Sequence, residues 1–348
     1  MSEVHIRTQG RAGRITLTRP EALNALSYEM SLAILDALDS WADDDGVALV
    51  ILDAEGGRAF CAGGDLARIH ADATGNKGRE TVEFWRHEYE LNDRIATYRK
   101  PVVVFMQGFV MGGGVGLAGH ASHRIAGETT QIAMPECTIG LIPDVGGSFL
   151  LSRAPGRMGE FLGLTGARMG AADALRAGFA DLHIPEAQWA TLKSDLCETG
   201  STDGLANKAT TAMDGPLATA QAMIDRAFSA DDVPSIAAAL ETEEGDVAEA
   251  ARKALGRNSP LAMHTSLRVI RRARAFETVR QAIALEFRAA ARSLLEGDFV
   301  EGIRAQIIDK DRTPRWRHAS LDAVKEADVD AMLRPFDDRT QDFEEIPL

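Results

Sequence analysis

Two glycine-rich turns hold the residues whose types and spacing could do chemistry. Ala62-Gly63-Gly64-Asp65 follows the apolar run VALVILDA (47–54), and Gly112-Gly113-Gly114 follows PVVVFMQG. Gly114, Gly116 and Gly119 also spell G-x-G-x-x-G, the fingerprint of a dinucleotide-binding turn. In such a turn the first glycine opens directly off its strand. Here the strand should end near Met106 or Gln107, and Gly108 to Gly113 intervene. The acid downstream, Glu136, stands in Met-Pro-Glu-Cys rather than at a strand end. The alternative is an oxyanion site. Glycines at a helix start leave backbone N–H groups unpaired, the dipole there favours negative charge, and a carbonyl can approach where no side chain intervenes. Each turn can supply one such amide, and two amides on one oxygen would stabilise the charge that develops in acyl transfer.

These turns need supports, and the hydrophobic pattern supplies them. VHIRTQ and RITLT predict two strands around a turn at Gly10–Gly13. Ser27 is the expected N-cap of a helix whose apolar face carries Met30, Ile34, Leu35 and Leu38. VALVILDA and PVVVFMQG read as strands buried on both faces, and GGRAFCAGGD as a loop. Residues 81–98 predict a helix with Phe84, Leu91 and Ile95 on one face. RIAGETTQIAM predicts a strand pair turning near Gly127, residues 155–178 short helices, and FADLHI a last strand. After Pro185 alanine rises and amphipathic helical patterns take over. The expected class is α/β: a core over residues 1–190, then a helical region over 191–348 that covers the active site or mediates assembly. It ends in an acidic tail, FDDRTQDFEEIPL, expected to be loosely held.

Composition narrows the function. The chain has 348 residues, 45% hydrophobic and 26% charged, as expected for a globular protein. No apolar run approaches the length of a membrane span, and the N-terminus lacks the apolar region of a secretory signal. The formal charge of −14 argues against a nucleic-acid partner. The three cysteines, Cys61, Cys137 and Cys197, suggest a reducing compartment, and a cytoplasmic location is expected. Cys61 and Cys137 read as small packing residues. No His/Cys spacing resembles a metal site, and His120 and His123 have no partner motif. Ser148 is not in G-x-S-x-G, so a serine triad is not expected.

The blocks FCAGGDL, KPVVVFMQGFVMGGGVGLAGHASHRIA and AMPECTIGLIPDVGG, in that order, resemble the enoyl-CoA hydratase/isomerase superfamily, the crotonase fold. EYELN (88–92), IPDVGGSFLLSR, FLGLTG and DFVEGIRAQIIDKDRTPRW most resemble its 3-hydroxyisobutyryl-CoA hydrolase branch. The resemblance implies a spiral of ββα units followed by a C-terminal helical region. It implies an acyl-CoA substrate, with CoA part of that substrate and no other cofactor, and association of copies into a homo-oligomer. The oxyanion amides become those of Gly64 and Gly113. Hydratases of the superfamily carry two glutamates. The position of one is Gly116 here; the other is present as Glu136, and a new carboxylate, Asp144, follows eight residues later. This exchange weakens the case for hydration and points to thioester hydrolysis, with Glu136 as general base or nucleophile and Asp144 orienting the water or moving its proton. Glu88 would line the acyl pocket, and Asn24, Ala25, Leu26, Asp65 and Leu66 would line the CoA channel. RVIRRAR (268–274) reads equally as a phosphate contact or as a solvated helix face.

Overall fold

The structure is a computed structural model describing residues 3–336 and 345–347. In chain order its strands are β1 (Val4–Gln9), β2 (Ala12–Leu17), β3 (Leu49–Ala54), β4 (Ala59–Cys61), β5 (Val102–Met106), β6 (Phe109–Met111), β7 (His123–Ala126), β8 (Gln131–Ala133) and β9 (Leu182–His183). They form a six-stranded sheet in the order β1-β2-β3-β5-β7-β9 and a three-stranded sheet in the order β4-β6-β8. Among the named strands of the described residues, the β1–β2 hairpin is antiparallel and the other pairs are parallel. The chain thus repeats one move. β3, β5 and β7 each lay a strand in the larger sheet, and β4, β6 and β8 follow each in turn in the smaller one.

Two expectations change here. Ala59–Cys61 is a strand rather than part of a loop; it is three residues long, and its partner β6 lies far along the chain, so no local pattern marks it. The strands on either side of Gly127 do not pair with each other: β7 joins β5 and β9, and β8 joins β6. Between them, the Gly127 amide donates to Thr130 Oγ1 (2.8 Å), which in turn donates to the Met106 carbonyl (2.5 Å). These bonds satisfy the backbone where the chain changes sheets.

The contacts divide the chain into two compact units. The first contains residues through Gly64, His87–Ala133 and Arg168–Gly215, and holds both sheets. Leu49 and Ile51 of β3 and Val103 and Phe105 of β5 pack with Trp189, Leu192 and Leu196 from the helix Trp189–Thr199. Val50 and Leu52, on the other face of β3, are equally buried, as the continuous apolar run requires. Ser27 caps the helix Tyr28–Ala42, its side chain accepting from the Met30 amide (3.2 Å). The helix Arg79–Ala96 fulfils the periodicity expected over 81–98.

The second unit contains Asp65–Arg86, Met134–Ala167 and residues from Pro216 onward. Residues 65–86 and 134–167 thus cluster with the late helices. The helix Pro260–Ala273 packs against Gly147–Arg153 and Met158–Thr165. The helix Val279–Leu295 opens with a capping box, Thr278 with Gln281, and is buried on nearly every side from Ala282 to Leu294. Most of the acidic tail, residues 337–344 and 348, lies outside the described residues. Glu345 accepts from Arg288 Nε (2.8 Å) and from the Phe336 amide (2.7 Å).

Candidate active site

The candidate residues fall into two groups, one in each unit. In the first unit the Gly63 carbonyl accepts from the Leu26 amide (2.8 Å). A trans peptide points its C=O and N–H in opposite directions, so the Gly64 N–H is turned away from the Leu26 segment. The same logic applies to the second turn. The Gly112 carbonyl accepts from Val115 (2.7 Å) and Gly116 (3.1 Å) inside the helix Gly113–Ala118, so the Gly113 N–H points out of the helix start. Gly112 makes this possible with φ +50, a backbone state open to glycine. The two turns lie close together: a Cβ placed on Gly113 would stand 3.6 Å from the Gly64 nitrogen.

That same Cβ would stand 2.4 Å from Oε1 of Glu88. Glu88 is buried, and its carboxyl stands beside the Gly113 backbone. One helical turn later Asn92 is fully buried, and among the described residues neither of its amide atoms has a hydrogen-bond partner. The Asn24 side chain braces the loop. Its Nδ2 donates to the carbonyls of Glu55 (2.9 Å) and Ala59 (3.0 Å), and its Oδ1 accepts from the Arg19 amide (2.8 Å). The Ala25 carbonyl accepts from Arg19 Nη1 (2.9 Å). With the Leu26–Gly63 bond, this segment holds the first glycine turn in place.

In the second unit, Glu136 opens the turn Glu136–Ile139 and is buried. Its Oε2 has no hydrogen-bond partner among the described residues. Burial, then the charge of Asp144, then that of Glu286, hold its carboxyl well above the ordinary carboxylate range. Asp144 is also buried, close enough for its charge to act on Glu136. Asp65 caps the helix Leu66–Gly75, accepting from the Arg68 amide (3.3 Å); Leu66 begins that helix and is half-buried.

Glu286 was not visible as a site residue in the sequence. It lies in the buried helix Val279–Leu295, with Oε2 accepting from the Gly146 amide (2.7 Å) and Oε1 from the Ser148 amide (2.9 Å) and the Ser148 hydroxyl. Burial pushes its carboxyl up to about 8, against the pull of these donors, which favour the anion. The available signal was a lone acid inside IALEF, an apolar stretch of a helix that is apolar almost all round.

The basic run at 268–274 is engaged within the protein. Arg268 pairs with Glu326 (2.7 Å) and Asp330 (3.0 Å). Arg271 donates to the carbonyls of Ala230 and Asp231, both at 2.6 Å. Arg274 pairs with the fully buried Glu160 (3.0 Å). These bonds favour a structural role over a phosphate contact. Cys61 and Cys137 are buried, and burial pushes both thiols to about 12, which suits packing rather than nucleophilic attack. Among the described residues no cluster of His, Cys, Asp or Glu is arranged to hold a metal ion.

A family model described as enoyl-CoA hydratase/isomerase matches residues 12–333. The chain belongs to the enoyl-CoA hydratase/isomerase family. Its α/β architecture is that of the crotonase fold. A solved enoyl-CoA hydratase from Rhodobacter sphaeroides is 51% identical with a TM-score of 0.91, over 96% of this chain and 98% of that one. A carnitinyl-CoA dehydratase from Mycobacterium thermoresistibile is 40% identical with a TM-score of 0.92, over 97% and 98%. Among curated members of the family, 3-hydroxyisobutyryl-CoA hydrolase 1 of Arabidopsis thaliana is 38% identical, over 100% of this chain and 94% of its own length. The mitochondrial 3-hydroxyisobutyryl-CoA hydrolase of Gallus gallus is 36% identical over 96% and 89%. Gly116, the glycine helix's fourth residue, is buried.

Proposed function

We propose that the protein hydrolyses a short β-hydroxyacyl-CoA thioester, with 3-hydroxyisobutyryl-CoA, the substrate named in its curated relatives, as the first candidate. The observation that carries this reading is the acid pair. Glu136 is buried with one oxygen unpartnered among the described residues, Asp144 is the strongest charge acting on it, and Gly116 has no acid to offer at the first hydratase position.

In this reading the Gly64 and Gly113 amides donate to the thioester carbonyl oxygen and stabilise the oxyanion. Ionised Glu136 takes a proton from water as the water oxygen bonds to the carbonyl carbon. Its raised pKa makes it a stronger base than an exposed glutamate once ionised. Collapse of the tetrahedral intermediate breaks the C–S bond, and the CoA thiolate leaves and takes up the proton from Glu136. Asp144 orients the water. A free thiol has a pKa near ~8.5, so the leaving group needs little acid assistance. Glu88 accepts a hydrogen bond from the substrate β-hydroxyl, which would make the site reject acyl groups lacking it. No metal or redox group takes part, CoA being a portion of the substrate. The single-turnover reaction in ¹⁸O-water separates base from nucleophile: label found in Glu136 means an acyl anhydride formed.

The solved relatives named for hydration favour a second reading, in which the same amides stabilise an enolate. The two are separated by supplying 3-hydroxyisobutyryl-CoA and crotonyl-CoA in turn. Free-thiol release from the first supports hydrolysis. Loss of the enoyl absorbance of the second, with no thiol released from either, overturns it. We also propose a reducing, cytoplasmic location, consistent with three buried free cysteines, although the animal relatives are named mitochondrial. Among the described residues no helix is long and apolar enough to cross a membrane. Association into a homo-oligomer belongs to the same proposal, and light scattering on a sizing column tests it.

A further inference from the structure

The turn that carries Asp144 is strained. Val145 has φ +54 and Gly146 φ +75, two successive left-handed residues. For a β-branched side chain this is a true outlier, because its Cβ crowds the following carbonyl. Such strain persists only where the surroundings over-determine it. Here the Gly147 amide closes the turn on the Asp144 carbonyl (2.6 Å). Glu286 does the rest, with Oε2 on the Gly146 amide (2.7 Å) and Oε1 on the Ser148 amide (2.9 Å) and hydroxyl. The Gly146 N–H belongs to the peptide that Val145 turns, so its bond to Oε2 fixes that torsion directly.

We propose that Glu286 is a positioning residue for Asp144: its carboxyl clamps the Gly146 and Ser148 amides, holds Val145 in the left-handed region, and so aims Asp144 beside Glu136. What Asp144 does in catalysis rests on the hydrolase reading above; the clamp itself does not. The burial of Glu286 supports the assignment. A carboxyl in the middle of a buried helix is costly unless it is hydrogen-bonded, and the partners it has are the donors of this turn. Either protonation state leaves an acceptor at each oxygen. Glutamine would instead turn an NH₂ group against one of the two amides.

The test is Glu286→Gln, read by thiol release from 3-hydroxyisobutyryl-CoA and by hydrogen exchange over residues 144–150. A misplacement of ~1 Å costs about 10²-fold, so kcat should fall on that order while KM stays within about twofold. Exchange in the segment should speed up. Adding Val145→Gly should restore kcat at least about tenfold, because glycine takes this φ without strain and no longer needs the clamp. A merely structural residue would lower activity only in proportion to the folded fraction, and Val145→Gly would not rescue it. The proposal fails if kcat per folded molecule stays within about threefold of the parent, or if the double variant is no better than the single one. Should Glu286→Gln not fold, Glu286→Asp, which keeps the carboxyl on a shorter stem, is judged by the same limits. The exchange measurement needs no substrate. A parent that releases no thiol defeats the hydrolase reading; unchanged exchange in Glu286→Gln defeats the clamp.

Discussion

Replacing Gly113 by alanine adds a single methyl group where the structure leaves almost no room. The methyl would stand 2.4 Å from Glu88 Oε1, about 1 Å inside the 3.4 Å at which ordinary contact begins. It would also stand 3.6 Å from the Gly64 nitrogen. A carbonyl oxygen accepting from that amide needs ~2.9 Å, so the methyl competes for the space the oxyanion must occupy. Gly113 lies in a helix, and its backbone accepts alanine without strain. Folding should therefore survive, and thermal melting should show it. Loss of one oxyanion donor costs about 2.7–4 kcal/mol, which is a fall in kcat of roughly 10²–10³. Thiol release from 3-hydroxyisobutyryl-CoA, followed with a chromogenic disulfide, measures this directly. A second effect is folded into the first, because the methyl also displaces the Glu88 carboxyl. Making the same change in a Glu88→Ala background separates the two in a double-mutant cycle. If Gly113→Ala still lowers kcat there by a similar factor, the oxyanion argument stands. If it becomes harmless once Glu88 is gone, or if the single variant keeps kcat within about threefold, the reasoning is wrong.

Three further outcomes follow from the same geometry. Asp144→Asn removes the strongest charge raising the Glu136 carboxyl, so the acid limb of the residual kcat/KM should move to lower pH; a limb that stays or moves up contradicts the pairing. Glu286 holds its proton to about 8 in the folded chain, against about 4.3 for an unperturbed glutamate. The native state thus binds more protons across that window, and stability falls as pH rises through it. Glu286→Gln, which cannot ionise, should flatten that slope in denaturant melts at successive pH values, whatever its absolute stability, and an unchanged slope refutes the assignment. Gly114→Ala should be a folding defect rather than a catalytic one: its Cβ would stand 2.1 Å from the Cys61 backbone carbonyl, which cannot give way as a side chain can. A loss of at least ~1–3 kcal/mol is expected from such overpacking, and an unaltered melting temperature would count against it.

Much of this was legible in the residues themselves. The strands β3 and β5 announce themselves as apolar runs buried on both faces, and Ser27 as a cap, because these signals are local. The glycine turns were legible for the same reason: which direction an amide points depends on its own peptide and its immediate neighbours. Gly116 and Asp144 were read from the chain, and the family resemblance gave them their meaning as an exchanged hydratase acid. Other features depend on partners far away in sequence. β4 is a strand only because β6 lies beside it, and β7 and β8 part company because each finds a different neighbour. The bonds that the Asn24 side chain makes with Glu55, Ala59 and Arg19 could not be read from the sequence. The arginines at 268–274 could have faced a phosphate, but Glu326 and Asp330 pair with Arg268, and Glu160 pairs with Arg274.

The amino-acid order by itself determined the chemistry on offer: two bare amides in glycine turns and two acids eight residues apart. It could not determine how strongly those acids hold their protons, or what keeps the Asp144 turn in its strained form. Both depend on burial and on Glu286, which reaches the turn from 140 positions along the chain. Proton affinity and backbone strain are set by whatever surrounds a group in space, and only the folded chain decides that.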